Sequence, residues 1–509
     1  MFSRTKRAGV AAVTAGLVTS ALSGAVPVAA PIAAASHWAS WLGAAATDPA
    51  TTLKQVRGLI GADTGAGAAL TGKGVGVALI DTGVAAVAGL PASRIVNGPD
   101  LSFESQAPDL RYLDTYGHGT HMAGIIIGDD TATGTKGLAP EVKLTSIKVG
   151  TANGTVDVSQ VIAAVDWVVQ HRNDDTANPI KVINLSYGSG GTVEEWNDSL
   201  GFAVEKAWKS GIVVVAAAGN DGNTAGSLSN PASNEWILSV GAAATKGTTV
   251  TTDDTLATFT NQPTNGGKQL NVLAPGVSIL SLRNTGSYID GTYPTARSGE
   301  TLFRGSGTSQ AAAVATAAVA MIRQAKPTAT PDQVKDWLIK SAVYIPNGLA
   351  GTYGLKELNV NAALARSATT VTAQNWSKSN GLGTLNNARG SSRVMFDNVA
   401  LSGENSVWGP MTTAAWAPHA AAGTAWAGGV WMGYRVAGDG WTGTSFASKT
   451  WASAAWTTRG PWSGGTDWTD PAWAGRSWVG RSWAGRSWAG GAWTGRSWAS
   501  DDWSSSYWG

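Results

Sequence analysis

Three short segments hold side chains that together could transfer an acyl group: Asp81-Thr82-Gly83, Gly117-His118-Gly119-Thr120-His121 and Gly307-Thr308-Ser309. A hydroxyl is a weak nucleophile at neutral pH and needs a base to take its proton. An imidazole can do this if a carboxylate fixes its tautomer. Ser309, His118 and Asp81 supply one group of each kind, in the chain order Asp, His, Ser. The oxyanion that forms on attack also needs donors. Asn220, closing the run Val213-Val-Val-Ala-Ala-Ala-Gly-Asn220, is an amide able to donate beside the backbone N–H of Ser309.

Each group has a plainer reading in isolation. A Ser at the head of an Ala-rich run most often caps a helix. His118 and His121 have metal-ligand spacing, but no third His or Glu stands at zinc spacing and His-Glu-x-x-His is missing. Asp-Thr-Gly also marks aspartic dyads and occurs twice, at Asp63 and Asp81. Those two copies lie too close in one segment to come from two lobes. Gly-Asn after a strand is commonly a turn.

The surrounding elements favour the chemical reading. Val75–Ile80, Leu144–Val149, Lys181–Leu185, Ile212–Ala217 and Ile237–Val240 are near-continuous apolar runs, as in parallel strands buried on both faces. Helical patterns at Val158–Val169 and Val193–Lys209 alternate with them, which predicts βαβ units and an α/β domain. Asp81 then ends a buried strand, where such folds place function. Ser309 opens a helix, where free N–H groups and the dipole favour negative charge. Thr330-Pro331-Asp332-Gln333 is a capping box that starts a late helix.

From about residue 71 to 366 the chain resembles the subtilisin-like serine peptidase family. The resemblance rests on Ala78-Leu-Ile-Asp-Thr-Gly83, Gly117-His-Gly-Thr-His-Met-Ala-Gly124, Val182-Ile-Asn-Leu-Ser-Tyr-Gly188, Ala216-Ala-Ala-Gly-Asn220, Leu273-Ala-Pro-Gly276 and Gly307-Thr-Ser-Gln-Ala-Ala312. It implies a parallel-sheet, three-layer α/β/α catalytic domain with Asp81, His118 and Ser309 as triad and Asn220 as side-chain oxyanion donor. It further implies that Ser186, Tyr187 and Gly188 pair with substrate backbone as an added strand. Ala217, Ala218 and Gly219 would line a pocket for the residue before the scissile bond. The chain departs from the family at Ala313, where a Pro is usual four residues after the nucleophile, and in the long segment Leu282–Arg304, expected near the cleft.

The chain has 509 residues, a net charge of +2 and 14% charged residues, so no basic stripe points to nucleic acid. It has no cysteine, which excludes disulfides, thiolate metal sites and a cysteine nucleophile. Arg4, Lys6 and Arg7 precede an Ala-rich apolar run and then small residues, the pattern of a secretory signal peptide over 1–35. Residues 36–70 follow as a short N-terminal segment or pro-region. After the catalytic domain, 367–400 are Ser/Thr/Asn/Gly-rich and read as a linker. Residues 401–509 read as a flexible, Trp-rich, low-complexity repeat region. From Trp468 to Trp508 an indole recurs every fifth residue, most often with Ala-Gly-Arg-Ser between.

The expectation is a secreted serine endopeptidase, monomeric, acting on protein or peptide through an acyl-enzyme. It requires no cofactor and has no metal site. The resemblance allows structural Ca2+, but no carboxylate cluster can be assigned to it. The Trp-rich tail is expected to bind a cell-surface polymer and so hold the enzyme at the surface. Two alternatives stand beside this reading. An amine resolving the acyl-enzyme would make the protein a peptide ligase or cyclase. Alternatively, the protein is a surface-binding protein whose functional part is the tail.

Overall fold

Strand β1 (Gly76–Asp81) is buried along its whole length and forms the axis of the molecule. The computed structural model describes residues 49–435 apart from 107–109, 153, 155, 191–194, 264–266, 353, 391–393, 397–398 and 428–429. The expected signal peptide, 1–35, and the repeat from 436 onward lie outside the described residues.

The other strands of the main sheet are β2 (Ile95–Asp100), β3 (Lys143–Lys148), β4 (Ile180–Leu185), β5 (Val213–Ala217), β6 (Leu238–Ala244) and β7 (Val272–Pro275). After β7 the chain makes an antiparallel hairpin, β8 (Ile279–Leu282) with β9 (Leu302–Gly305), and then returns to the sheet edge as β10 (Val343–Tyr344) and β11 (Lys356–Glu357). The 10-stranded sheet has the order β10-β11-β7-β6-β5-β4-β1-β3-β2, with the short strand Thr255–Leu256 pairing antiparallel to β6 as the tenth, and is parallel throughout its centre. β1 lies between β3 and β4, so the chain leaves it first to one side and later to the other. The C-terminal end of a strand at such a reversal is where an open α/β sheet leaves room for a ligand.

Helices α1 (Leu53–Leu59), α2 (His118–Ile127), α3 (Val158–His171), α4 (Ser199–Lys209), α5 (Tyr288–Thr292), α6 (Thr308–Ala325) and α7 (Pro331–Ser341) surround the sheet. α6 lies across β4 to β7 and packs on α2, while α3 packs on α4. α4 starts later than the pattern suggested because the Asp198 carboxylate accepts from the Leu200 and Gly201 amides and caps the helix there. The Thr330/Gln333 capping box forms as expected. No described helix is long and apolar enough to cross a membrane.

Both flanks of the domain pack against it. Within 36–70, Thr51 pairs with Ile279, and α1 buries Leu53, Val56 and Leu59. Arg57 donates to the carbonyls of Leu138 at 2.6 Å and Leu70 at 3.0 Å, so this segment belongs to the body of the domain. Within 367–400, read as a linker, residues 367–384 instead run along the surface as a strap. Gln374 donates to Asp332, and the Ser379 amide donates to the buried Glu205. Beyond the strap, α8 (Leu385–Arg389) and α9 (Thr413–Ala422) precede a small meander, β12 (Trp426–Ala427), β13 (Val430–Trp431) and β14 (Tyr434–Arg435).

The described part of 401–509 is thus folded. Trp408, Trp416 and Trp431 are fully buried, and Trp426 nearly so. Asp166 of α3 explains why: its Oδ2 accepts from the indoles of Trp416 at 2.7 Å and Trp431 at 2.9 Å. An indole can be buried only when its N–H finds an acceptor, and here the catalytic body supplies it. The five-residue spacing of Trp426 and Trp431, foreign to a single helix or strand, makes them direct partners across a hairpin.

Candidate active site

Asp81 is the last residue of β1 and is 1% exposed. Its Oδ1 accepts from the Thr82 amide at 2.7 Å and from His118 Nδ1 at 2.7 Å. That contact places the ring proton on Nδ1 and makes Nε2 the basic nitrogen.

His118 opens α2, and the entry is made by Gly117 at φ 106°, a conformation that favours glycine. Asp114 fixes this entry. It accepts from the Gly117 amide, from the Thr120 amide and hydroxyl, and from the Thr82 hydroxyl, all within 2.6–2.8 Å. Thr82 Oγ1 in turn accepts from the Gly119 amide at 2.9 Å. Burial pushes the Asp114 carboxyl up, and these donors pull it back. At Gly119 the approach is so close that a Cβ would lie 2.0 Å from the Gly83 carbonyl oxygen. His121 turns the other way, its Nε2 3.1 Å from the Phe303 carbonyl. Burial and the neighbouring His118 push it down to about 3, so it is neutral. The two histidines therefore do not act as a pair.

Ser309 lies in the first turn of α6, 2% exposed, and its Oγ makes no hydrogen bond among the described residues. His118 bonds Asp81 at the end of β1, and the Gly307 amide before α6 donates to the Gly276 carbonyl just past β7, so both helix starts stand at the C-terminal end of the parallel strands. Asn220 follows β5. Its Oδ1 accepts from both the amide and the hydroxyl of Thr308 at 2.9 Å, which leaves the NH2 end as its donor. Gly219, at φ 103°, donates to Thr308 Oγ1 at 3.2 Å, so Ala217, Ala218 and Gly219 abut the nucleophile's own turn. On the other side Ser186 Oγ donates to the Ser309 carbonyl at 3.4 Å. Tyr187 and Gly188 continue from there, buried. All the residues expected from sequence come to this end of the sheet.

Sequence reasoning missed Asp114, Thr82, Thr120 and Thr308, which hold the others in place. A faint signal existed: each functional motif carries a Thr within two residues of its reactive side chain.

The segment Leu282–Arg304 does fold beside the site. Tyr288 and Ile289 of α5 donate their amides to the carbonyls of Thr115 and Tyr116, and Tyr288 stacks on Tyr116 at 5.5 Å. Asp290 anchors the segment by accepting from Arg283 and Arg297. A cavity of about 480 Å³ separates this segment from Ala85–Ala88. Ala313 is fully buried inside an uninterrupted α6. Among the described residues no group of three or more His, Cys, Asp or Glu could hold a metal ion.

The family model Peptidase_S8, described as the subtilase family, matches residues 72–387. The serine protease AprX of Bacillus subtilis (strain 168) is 38% identical over 278 residues, which cover 53% of this chain and 62% of that one. The chain thus spans less than two thirds of that relative's length. Subtilisin DY of Bacillus licheniformis is 35% identical over 310 residues, 60% of this chain and 96% of that one. Among solved structures, a cold adapted subtilisin-like serine proteinase aligns at 28% identity with a TM-score of 0.44, over 58% of this chain and 90% of that one. With a buried Asp–His pair, a serine at a helix start and the match over most of the described body, the chain belongs to the subtilase family of serine-type endopeptidases.

Proposed function

We propose that this chain is a secreted endopeptidase that hydrolyses peptide bonds through an acyl-enzyme on Ser309. His118 Nε2 takes the Ser309 proton as Oγ attacks the carbonyl carbon, and then gives it to the leaving amine. Asp81 orients the imidazole through Nδ1. The Ser309 N–H and Asn220 NH2 donate to the oxyanion, and water releases the acyl group by the reverse steps. Substrate lies as an added strand beside Ser186, Tyr187 and Gly188, with the residue before the scissile bond against Ala217, Ala218 and Gly219. The observation that carries this reading is the buried 2.7 Å contact between Asp81 and His118, set where the start of α6 presents Ser309.

Secretion is supported by the N-terminal sequence pattern. The enzyme acts as a monomer, and its Trp-Ala-Gly-Arg-Ser repeat attaches it to a cell-surface polymer, since Trp and Arg dominate binding hot spots.

The test is labelling by a serine-directed fluorophosphonate of protein recovered from the cell surface and the culture medium. The parent chain is expected to be labelled on Ser309, and Ser309→Ala to take no label and lose about 10⁶ in kcat, the loss known for this mechanism in a subtilisin. A parent chain left unlabelled, or labelled elsewhere, would sink the reading.

A further inference from the structure

Arg389, the last residue of α8, lies just beyond the family match, which ends at residue 387. In the sheet β1 lies between β3 and β4, with Asp81 at its end. The loop from β3 into α3 and the segment 186–189 after β4 are therefore the two walls beside that end. Ser186 stands at the nucleophile, its Oγ on the Ser309 carbonyl. A peptide laid along 186–188 with its scissile carbonyl at Ser309 thus sends its acyl-side residues toward Ser189.

At this far end α8 touches both walls. Ser189 Oγ donates to the Ala388 carbonyl at 2.6 Å, while the Ser189 backbone pairs with Asn230. The next residue, Arg389, is 1% exposed and grips Asp157, the cap of α3, with Nε at 2.6 Å and Nη2 at 3.1 Å. The same guanidinium donates to the carbonyls of Gly403 and Asn405. Burial alone would raise the Asp157 carboxyl, but Arg389 and the Ser159 donors outweigh it and hold it below the ordinary value. Ser159 Oγ also accepts from the Val407 amide at 3.3 Å. Ser189, Ala388, Arg389, Asp157 and Ser159 are all buried, so none of them reaches substrate itself.

We propose that Arg389 is a positioning residue for the acyl-side substrate groove: through α8 it braces the α3 wall against the 186–189 wall and sets the groove's width three to four residues from the scissile bond. This rests on the peptidase reading above. A planar, bidentate guanidinium suits the task because it fixes two directions at once, which an ammonium cannot.

The test compares two substrates of the full chain, one peptide with four residues before the scissile bond and one ester with a single residue there. In Arg389→Gln, KM for the long peptide is expected to rise about ten-fold while kcat/KM for the ester changes less than about three-fold. Arg389→Lys should recover only part of the KM, and the rate of fluorophosphonate labelling reports that the site is intact should the Gln variant be destabilised. Equal loss on both substrates, or no change on either, overturns the brace. A parent chain that cleaves neither substrate overturns the peptidase reading and the brace with it. A parent that cleaves both while the variants match it overturns the brace alone.

Discussion

Asp166 shows what one buried side chain can impose on this molecule. Desolvation pushes its carboxyl up to about 7, with the indole donors of Trp416 and Trp431 pulling the other way. An acid whose folded value is raised holds its proton better folded than unfolded. Its contribution is intact below the unfolded value near 4 and is lost as pH rises through 7, a fall of roughly 4 kcal/mol at most. Asp166→Asn keeps an oxygen for the indoles and removes the charge. It should match the parent near pH 4 and melt higher than the parent at pH 8, by calorimetry at both pH values. An equal loss at both would refute the charge argument. Ser309, His118, Asp81 and Asn220 were legible in sequence because each lies within a few residues of a recognisable strand end or helix start. Asp114 and Asp166 were not. Nothing in their neighbourhoods announces a role: Asp114 joins its own loop to Thr82 of the β1 exit, and Asp166 meets indoles some 250 residues on.

The element that decides the catalytic geometry is the start of α2. Its first turn is pressed on the β1 exit so closely that Gly119 leaves no room for a Cβ beside the Gly83 carbonyl. Gly119→Ala must therefore push α2 outward and stretch the Asp81–His118 bond. We expect kcat to fall on the order of 10²-fold, the usual effect of a displacement near 1 Å, with the melting temperature changed much less. A variant with parental kcat would show that α2 can shift without moving His118. The glycine pattern was readable from sequence as access around the imidazole. The actual constraint is contact with a segment across a turn of the fold, and that needed the structure. Five central strands were read to within a residue at all but one end, since buried parallel strands are plain apolar runs, while β2 and β7 were not read and β6 runs on to Ala244. The strap was misread because its anchors, Gln374 and Ser379, are polar residues whose partners lie on α4 and α7.

At the scale of the whole molecule, the catalytic body and residues 371–435 bury one another's polar groups. A chain ending at Thr370 leaves Asp157 without Arg389, Asp166 without its indoles and Glu205 without Ser379. It should melt roughly 10 °C lower than the full chain, at several kcal/mol for the uncovered core. An unchanged melting temperature would mean that the strap only rests on the surface. A chain ending at Arg435 should keep parental stability and kcat but shift from the cell surface to the medium, as measured by fractionated activity. Unchanged partitioning would remove the role proposed for the repeat. The sequence by itself determined the α/β class, most ends of the central strands and the candidate residues Asp81, His118, Ser309 and Asn220, because these are signals of a few consecutive residues and of backbone periodicity. Only the tertiary structure decided that residues 51–62 and 371–435 belong to the same body. Trp416 and Trp431 become core residues through an acceptor on α3, and Arg389 becomes a brace through Asp157, each more than 200 residues earlier in the chain. Burial of a polar group is settled by the partner it meets, and composition does not name that partner.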